Sequence, residues 1–151
     1  MPKVEATLIT DVPAKQVYDI ICDYMHLHVW NIVVNGVEQV EKDKFDKKFL
    51  FDTNVGPVLN TVIEEVSPTI STSIQEDSAM EKIGYIVTSM DDGKTNVKLW
   101  AEFELEDNRF VLEMAAELFL KSLKVFLDYI QAGGNPEEYE KVLEKIESAE
   151  I

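Results

Sequence analysis

The chain opens with alternation. Val4, Ala6 and Leu8 fall on one side of an extended backbone and Glu5 and Thr7 on the other, which predicts a half-buried strand over 3–10. Asp11-Val12-Pro13 then signals a helix start, with Asp11 as the candidate cap and proline tolerated in a first turn that leaves its N–H unpaired anyway. Val17, Ile20, Ile21 and Tyr24 follow at helical spacing, and 23–31 reads as a second short helix or a turn. From Ile32 to Glu106 the period is two. Runs over about 33–42, 45–54, 57–66, 69–77, 81–90 and 95–106 are separated by Asp43-Lys44, Gly56-Pro57, Ser67-Pro68 and Asp91-Asp92-Gly93-Lys94. Links this short make consecutive strands antiparallel neighbours.

The period then changes to 3.6. A long helix is predicted over 108–132, with a polar stripe of Glu113, Glu117, Lys121, Lys124 and Asp128 that forms ion pairs along a solvated face. The rest of this helix is apolar over so wide an arc that it must be buried on more than one side, against a sheet and either a cavity or another subunit. Gly133-Gly134 stops it. Asn135-Pro136-Glu137-Glu138 reads as a cap and first turn of a further helix over 135–150, whose apolar stripe is Tyr139, Val142, Leu143 and Ile146.

Composition narrows the functions. Fourteen basic residues against twenty-nine acidic ones, a net charge of −15, disfavour nucleic acid and anionic membrane surfaces as partners, since both recruit clustered Lys and Arg. A single cysteine, Cys22, fits a reducing compartment and lies among apolar neighbours without an evident base. The N-terminus shows no apolar signal core and no run long enough to span a membrane, so a cytoplasmic location is expected.

The order of strand, helix, short helix, six antiparallel strands and long helix resembles the START/polyketide cyclase-dehydrase superfamily. Three stretches carry the resemblance. Leu8-Ile9-Thr10-Asp11-Val12-Pro13-Ala14-Lys15-Gln16-Val17-Tyr18 looks like the family's first strand running into its helix. Asp23, Trp30, Val34 and Val37-Glu38 look like the crossing to the second strand. Gly93-Lys94-Thr95-Asn96-Val97-Lys98-Leu99-Trp100 looks like the last hairpin. The resemblance covers about 3–131 and implies an α+β helix-grip fold: a curved antiparallel sheet around a long C-terminal helix, with a cavity between them for lipids, polyketides or aromatic compounds. Residues 1–132 would form that domain. The helix at 135–150 departs from the family pattern and would pack on the domain or on a partner, a homodimer included.

Strand parity puts Phe45, Phe49 and Phe51, then Ile70, Thr72 and Ile74, then Val97, Leu99, Ala101, Phe103 and Leu105 on the inner face, and Trp100 on the outer one. Parity in 57–66 and 81–90 is ambiguous, with Asn60, Gln75 and Tyr85 as candidate polar contacts. The candidate ligand-binding residues are Phe49, Phe51, Tyr85, Leu99 and Phe103 from the sheet and Ala115, Phe119 and Leu123 from the helix. His28 and Tyr85 are the nearest to catalytic candidates; no dyad, nucleophile elbow or phosphate loop accompanies them. His26 and His28 stand two apart, a spacing that cannot chelate from one helical face, so no metal site and no cofactor are expected. Three functions follow: binding or carriage of an apolar small molecule, a cyclase or dehydrase acting on such a ligand, or an oligomerising interaction module.

Overall fold

A computed structural model describes residues 1–41 and 47–151. Seven strands run β1 (Lys3–Thr10), β2 (Val34–Glu41), β3 (Lys47–Thr53), β4 (Gly56–Val66), β5 (Ile70–Glu76), β6 (Lys82–Ser89) and β7 (Thr95–Glu102). They form one antiparallel sheet in the order β1-β7-β6-β5-β4-β3-β2. Only β1 pairs out of sequence, on β7, so β1 and β2 lie at opposite edges. The chain between them must cross the sheet, and it does so as α1 (Ala14–Ile21), a 3-10 turn (Tyr24–His26) and α2 (Leu27–Trp30). Register shifts at Val34/Gly36, Gln39/Glu41 and Val62/Glu64 mark bulges, which bend strands and curve the sheet.

The long helix, α3 (Arg109–Gln131), fills the concave side. Leu112, Ala116, Leu120, Leu123 and Leu127 recur at helical spacing and are all buried. They meet the inward residues of the first and last strands, of which Leu8, Val97, Leu99 and Ala101 are fully enclosed. Ser122 is also fully buried, and its hydroxyl accepts the Ile32 N–H at 3.2 Å, which ties α3 to the start of β2. Gly133 ends the run with φ at +91°, the left-handed conformation expected of a terminating glycine.

Several expectations need correction. Asp11 caps nothing in α1, whose N-cap position is Pro13. The bend is held instead by Thr10, whose Oγ1 accepts the Val12 N–H at 3.2 Å, and by Thr95, whose hydroxyl donates to the Val12 carbonyl at 2.7 Å. The last strand stops at Glu102, because a 3-10 turn over Glu106–Asn108 leads into α3; Leu105 is therefore 64 % exposed rather than inward. Phe45 lies outside the described residues.

The largest correction is to β5. Ser73 stands opposite Val62 on β4 and Ile83 on β6, both buried on the inner face. Cross-strand partners share a face. Ser71, Ser73 and Gln75 therefore point inward and Ile70, Thr72 and Ile74 outward, with Ile74 44 % exposed. Neighbouring strands on both sides set this register and override the strand's own apolar pattern.

The segment after Gly134 is not one helix. Asn135 does cap a turn, its Oδ1 accepting the Glu137 N–H at 3.0 Å, but that turn is 3-10 and ends at Glu138. An extended stretch follows, and only Leu143–Glu147 (α4) is α-helical. Tertiary contacts explain the break. The Tyr139 ring packs 5.0 Å from both Phe126 and Tyr129, and the Lys141 ammonium donates to the Asn31 and Val34 carbonyls at 3.1 and 2.8 Å. Ile146 is fully buried. On the outer face Trp100 lies flat over Gly84: a Cβ there would sit 2.4 Å from the indole. The Lys3 ammonium covers the ring at 5.0 Å. Among the described residues no helix is long and apolar enough to cross a membrane.

Candidate functional site

The sheet and α3 do not meet everywhere. Where β3 to β6 curve away from the first turns of α3, a cavity of about 600 Å³ remains. That volume is in the usual range for small-molecule sites. Phe51, Val58 and Ile83 supply apolar wall from the sheet, and Leu112, Ala115 and Phe119 from α3. The 3-10 turn before α2 closes one end with Tyr24, stacked on Phe49 at 5.1 Å. The mouth lies between the β3–β4 turn, the β5–β6 loop and the start of α3, where Val55 and Val111 are 89 and 64 % exposed. Asp77 stands at this mouth with φ at +63°, a left-handed conformation that aspartate tolerates better than most side chains.

One wall is polar, and it is the inverted β5 that makes it so. Asn60 Nδ2 donates to Ser73 Oγ at 3.1 Å, and Gln75 Nε2 donates to Asn60 Oδ1 at 3.1 Å. Beside them the Tyr24 and Ser71 hydroxyls bond at 2.5 Å. The row crosses adjacent strands because Asn60 is opposite Gln75, and Ser71 is opposite Tyr85. Tyr85 also lines the cavity, and among the described residues its hydroxyl has no hydrogen-bond partner. Burial pushes the Tyr24 and Tyr85 phenols well above their ordinary value, so both are neutral donors at physiological pH. Among the described residues the lining holds no Lys, Arg or His, and Asp77 is its one acidic side chain.

Of the eight candidate ligand-binding residues, Phe51, Tyr85, Ala115 and Phe119 line the cavity. Leu99, Phe103 and Leu123 are buried in the core and do not line it, and Phe49 lies behind Tyr24, one layer out from the lining. Leu99, Phe103 and Leu123 lie where the sheet closes directly on α3, and Arg109 covers the Phe103 ring at 5.3 Å. Ser71 and Ser73 are not among the sequence candidates, since an inward serine on a strand with outward isoleucines contradicts the usual rule. The flanking runs, 57–66 and 81–90, are themselves ambiguous in parity, so only the pairing register of β5 with β4 and β6 places the two serines.

His28 does not reach the cavity lining and so is not joined there with Tyr85; its Nδ1 is buried without a partner among the described residues. His26 pairs with Asp23 at 2.9 Å on the surface. Among the described residues no group of three His, Cys, Asp or Glu is placed to hold a metal. Burial raises the pKa of the Cys22 thiol, which disfavours a reactive thiolate. Glu113 faces solvent beside Arg109 at 3.9 Å and Lys124 pairs with Asp128 at 3.0 Å, both outside the site, whereas Lys121 donates to the Glu147 carbonyl at 3.3 Å rather than to a carboxylate of its own stripe.

No family model matches the sequence, and no curated protein matches it either. Solved structures do match. A START superfamily protein from Mycobacterium smegmatis superposes with a TM-score of 0.66 at 12% identity, over 86% of this chain and 97% of that one. This chain has the START-like helix-grip fold. An aromatase/cyclase from a Streptomyces species shares the fold, with a TM-score of 0.65, 16% identity, and 89% and 99% of the two chains covered. So does a Bacillus cereus protein, with a TM-score of 0.70, 13% identity, and 87% and 99% covered. At such identities the START-like fold is what the chains share; the site is built from this chain's own residues.

Proposed function

We propose that this START-like domain binds an apolar small molecule in the cavity between sheet and α3. The observation that carries this is the cavity itself, about 600 Å³ lined mainly by apolar side chains beside an extensive buried core. Interiors are normally close-packed, and unfilled apolar space is costly. The fold's presence in a START superfamily protein and in an aromatase/cyclase supports the same reading. Transfer of apolar ligand surface from water would supply affinity, and the polar wall would orient the ligand. Of the two catalytic candidates, His28 lies away from the cavity and burial holds the Tyr85 phenol protonated, which favours binding or carriage over cyclase or dehydrase chemistry, whose acid or base must exchange a proton near neutral pH.

Native mass spectrometry of gently purified protein tests this, with the neutral fluorophore N-phenyl-naphthylamine added as a probe. A co-purified mass lost on denaturation, or stoichiometric uptake of the probe, is the expected result. A clean protein mass with no uptake would overturn it. The same spectrum tests a second reading, an interaction module that self-associates. That reading is favoured by Phe110, Val111 and Met114, which are 72, 64 and 56 % exposed at the start of α3. A dimer mass would support it.

A further inference from the structure

The polar wall says more about the ligand than its apolar part does. Asn60 already donates to Ser73 and accepts from Gln75. The Ser73 hydroxyl accepts one bond and keeps its own proton to donate, and the Gln75 side-chain oxygen remains an acceptor. The Tyr85 phenol, without a hydrogen-bond partner among the described residues, adds a donor and an acceptor on the next strand. Every one of these groups is uncharged. A ligand hydroxyl or carbonyl would find both donors and acceptors here.

A ligand carboxylate, sulfonate or phosphate would not find a countercharge. Among the described residues the lining has no cation, and the mouth carries Asp77. The net charge of −15 adds an unfavourable long-range field. Bringing an unpaired anion out of water into such a site costs several kcal/mol, which the group avoids by protonating or by staying out.

Resting on the cavity as a binding site, we infer that it selects uncharged amphipathic ligands, which set a hydroxyl or carbonyl against Tyr85, Ser73 and Gln75, and that it rejects anions of the same shape. Tyr85 is the orienting residue of this selection.

Competition against bound N-phenyl-naphthylamine tests this with a matched pair, naphthalenemethanol and naphthoic acid. Near neutral pH the alcohol should displace the fluorophore at least about 100-fold more effectively than the acid. If only the protonated acid enters, its apparent affinity should fall about tenfold per pH unit from about pH 6 to about pH 8, since an ordinary carboxyl titrates near 4. The alcohol's affinity should stay flat. Tyr85→Phe should weaken the alcohol about 3- to 10-fold relative to the fluorophore, the worth of one hydrogen bond. Equal, pH-independent displacement by acid and alcohol would overturn the selection and leave the cavity standing. An alcohol affinity that Tyr85→Phe does not change would overturn the orienting role. Failure of the fluorophore itself to bind would overturn the cavity and the selection together.

Discussion

Val58→Phe distinguishes a cavity from a solid core. Val58 is 6 % exposed on β4, opposite Phe51, and it lines the cavity. Strand parity leaves its side chain only the inner face. The substitution adds four carbon atoms and no polar group. At about 0.8 kcal/mol per buried carbon the gross gain is about 3 kcal/mol. Lost side-chain freedom and imperfect contact take back about 1 kcal/mol or more. The variant should therefore range from equally stable to about 2 kcal/mol more stable. In a filled core the same four carbons would instead cost about 1–3 kcal/mol through overpacking. Urea unfolding followed by tryptophan fluorescence reads the difference. With a slope of about 1–3 kcal/mol per molar, the two outcomes differ in sign and by about 1 M in midpoint. Affinity for N-phenyl-naphthylamine should fall at least about tenfold in the same variant, a loss of about 1.4 kcal/mol. A stability lowered by about 1 kcal/mol or more, with fluorophore affinity unchanged, would refute the reasoning.

Other parts of the structure yield independent predictions. Gly84→Ala drives a methyl group into the Trp100 indole and should cost about 1–3 kcal/mol; Trp100→Ala in the same chain should remove that extra cost, measured as a double-mutant cycle in urea. Ile146→Ala empties a fully buried site under the C-terminal segment and should cost about 2–4 kcal/mol in the same assay, whereas a loss under 0.5 kcal/mol would mean that α4 is not docked. Alkaline pH should unfold the protein. Tyr24 and Tyr85 keep their protons in the fold well above the ordinary phenol value, so the unfolded chain binds fewer protons above about pH 10. Stability should be unaffected by these two groups below that pH and should fall by about 1.4 kcal/mol per pH unit for each of them above it, followed by circular dichroism and phenolate absorbance.

Much of this fold is legible in the chain because local and long-range preferences agree. The alternation of Val97, Leu99 and Ala101 and the 3.6-residue spacing of Leu112, Ala116, Leu120 and Leu123 each name the buried face without help from neighbours. The polar wall was hidden because in β5 the two disagree. Ile70, Thr72 and Ile74 look like an inner face, and only the pairing of Ser73 with Val62 and Ile83 turns them outward. The C-terminal segment failed for a similar reason: Tyr139, Val142, Leu143 and Ile146 have helical spacing, but the Tyr139 ring and the Lys141 ammonium are drawn to separate partners, which an unbroken helix would not satisfy. Leu99 and Phe103 point inward as parity requires and Leu123 as helical spacing requires, yet inward-facing does not mean cavity-facing. That distinction depends on how far each part of the sheet stands from α3, which no single strand's pattern records.

The central claim is that ligand enters between β3–β6 and the first turns of α3. Mapping amide chemical-shift changes during titration with N-phenyl-naphthylamine tests it most directly. Saturable shifts centred on Phe51, Val58, Ser73, Tyr85, Ala115 and Phe119 are predicted. Shifts confined to the exposed face at Phe110 and Met114, or none at saturating fluorophore, would contradict it.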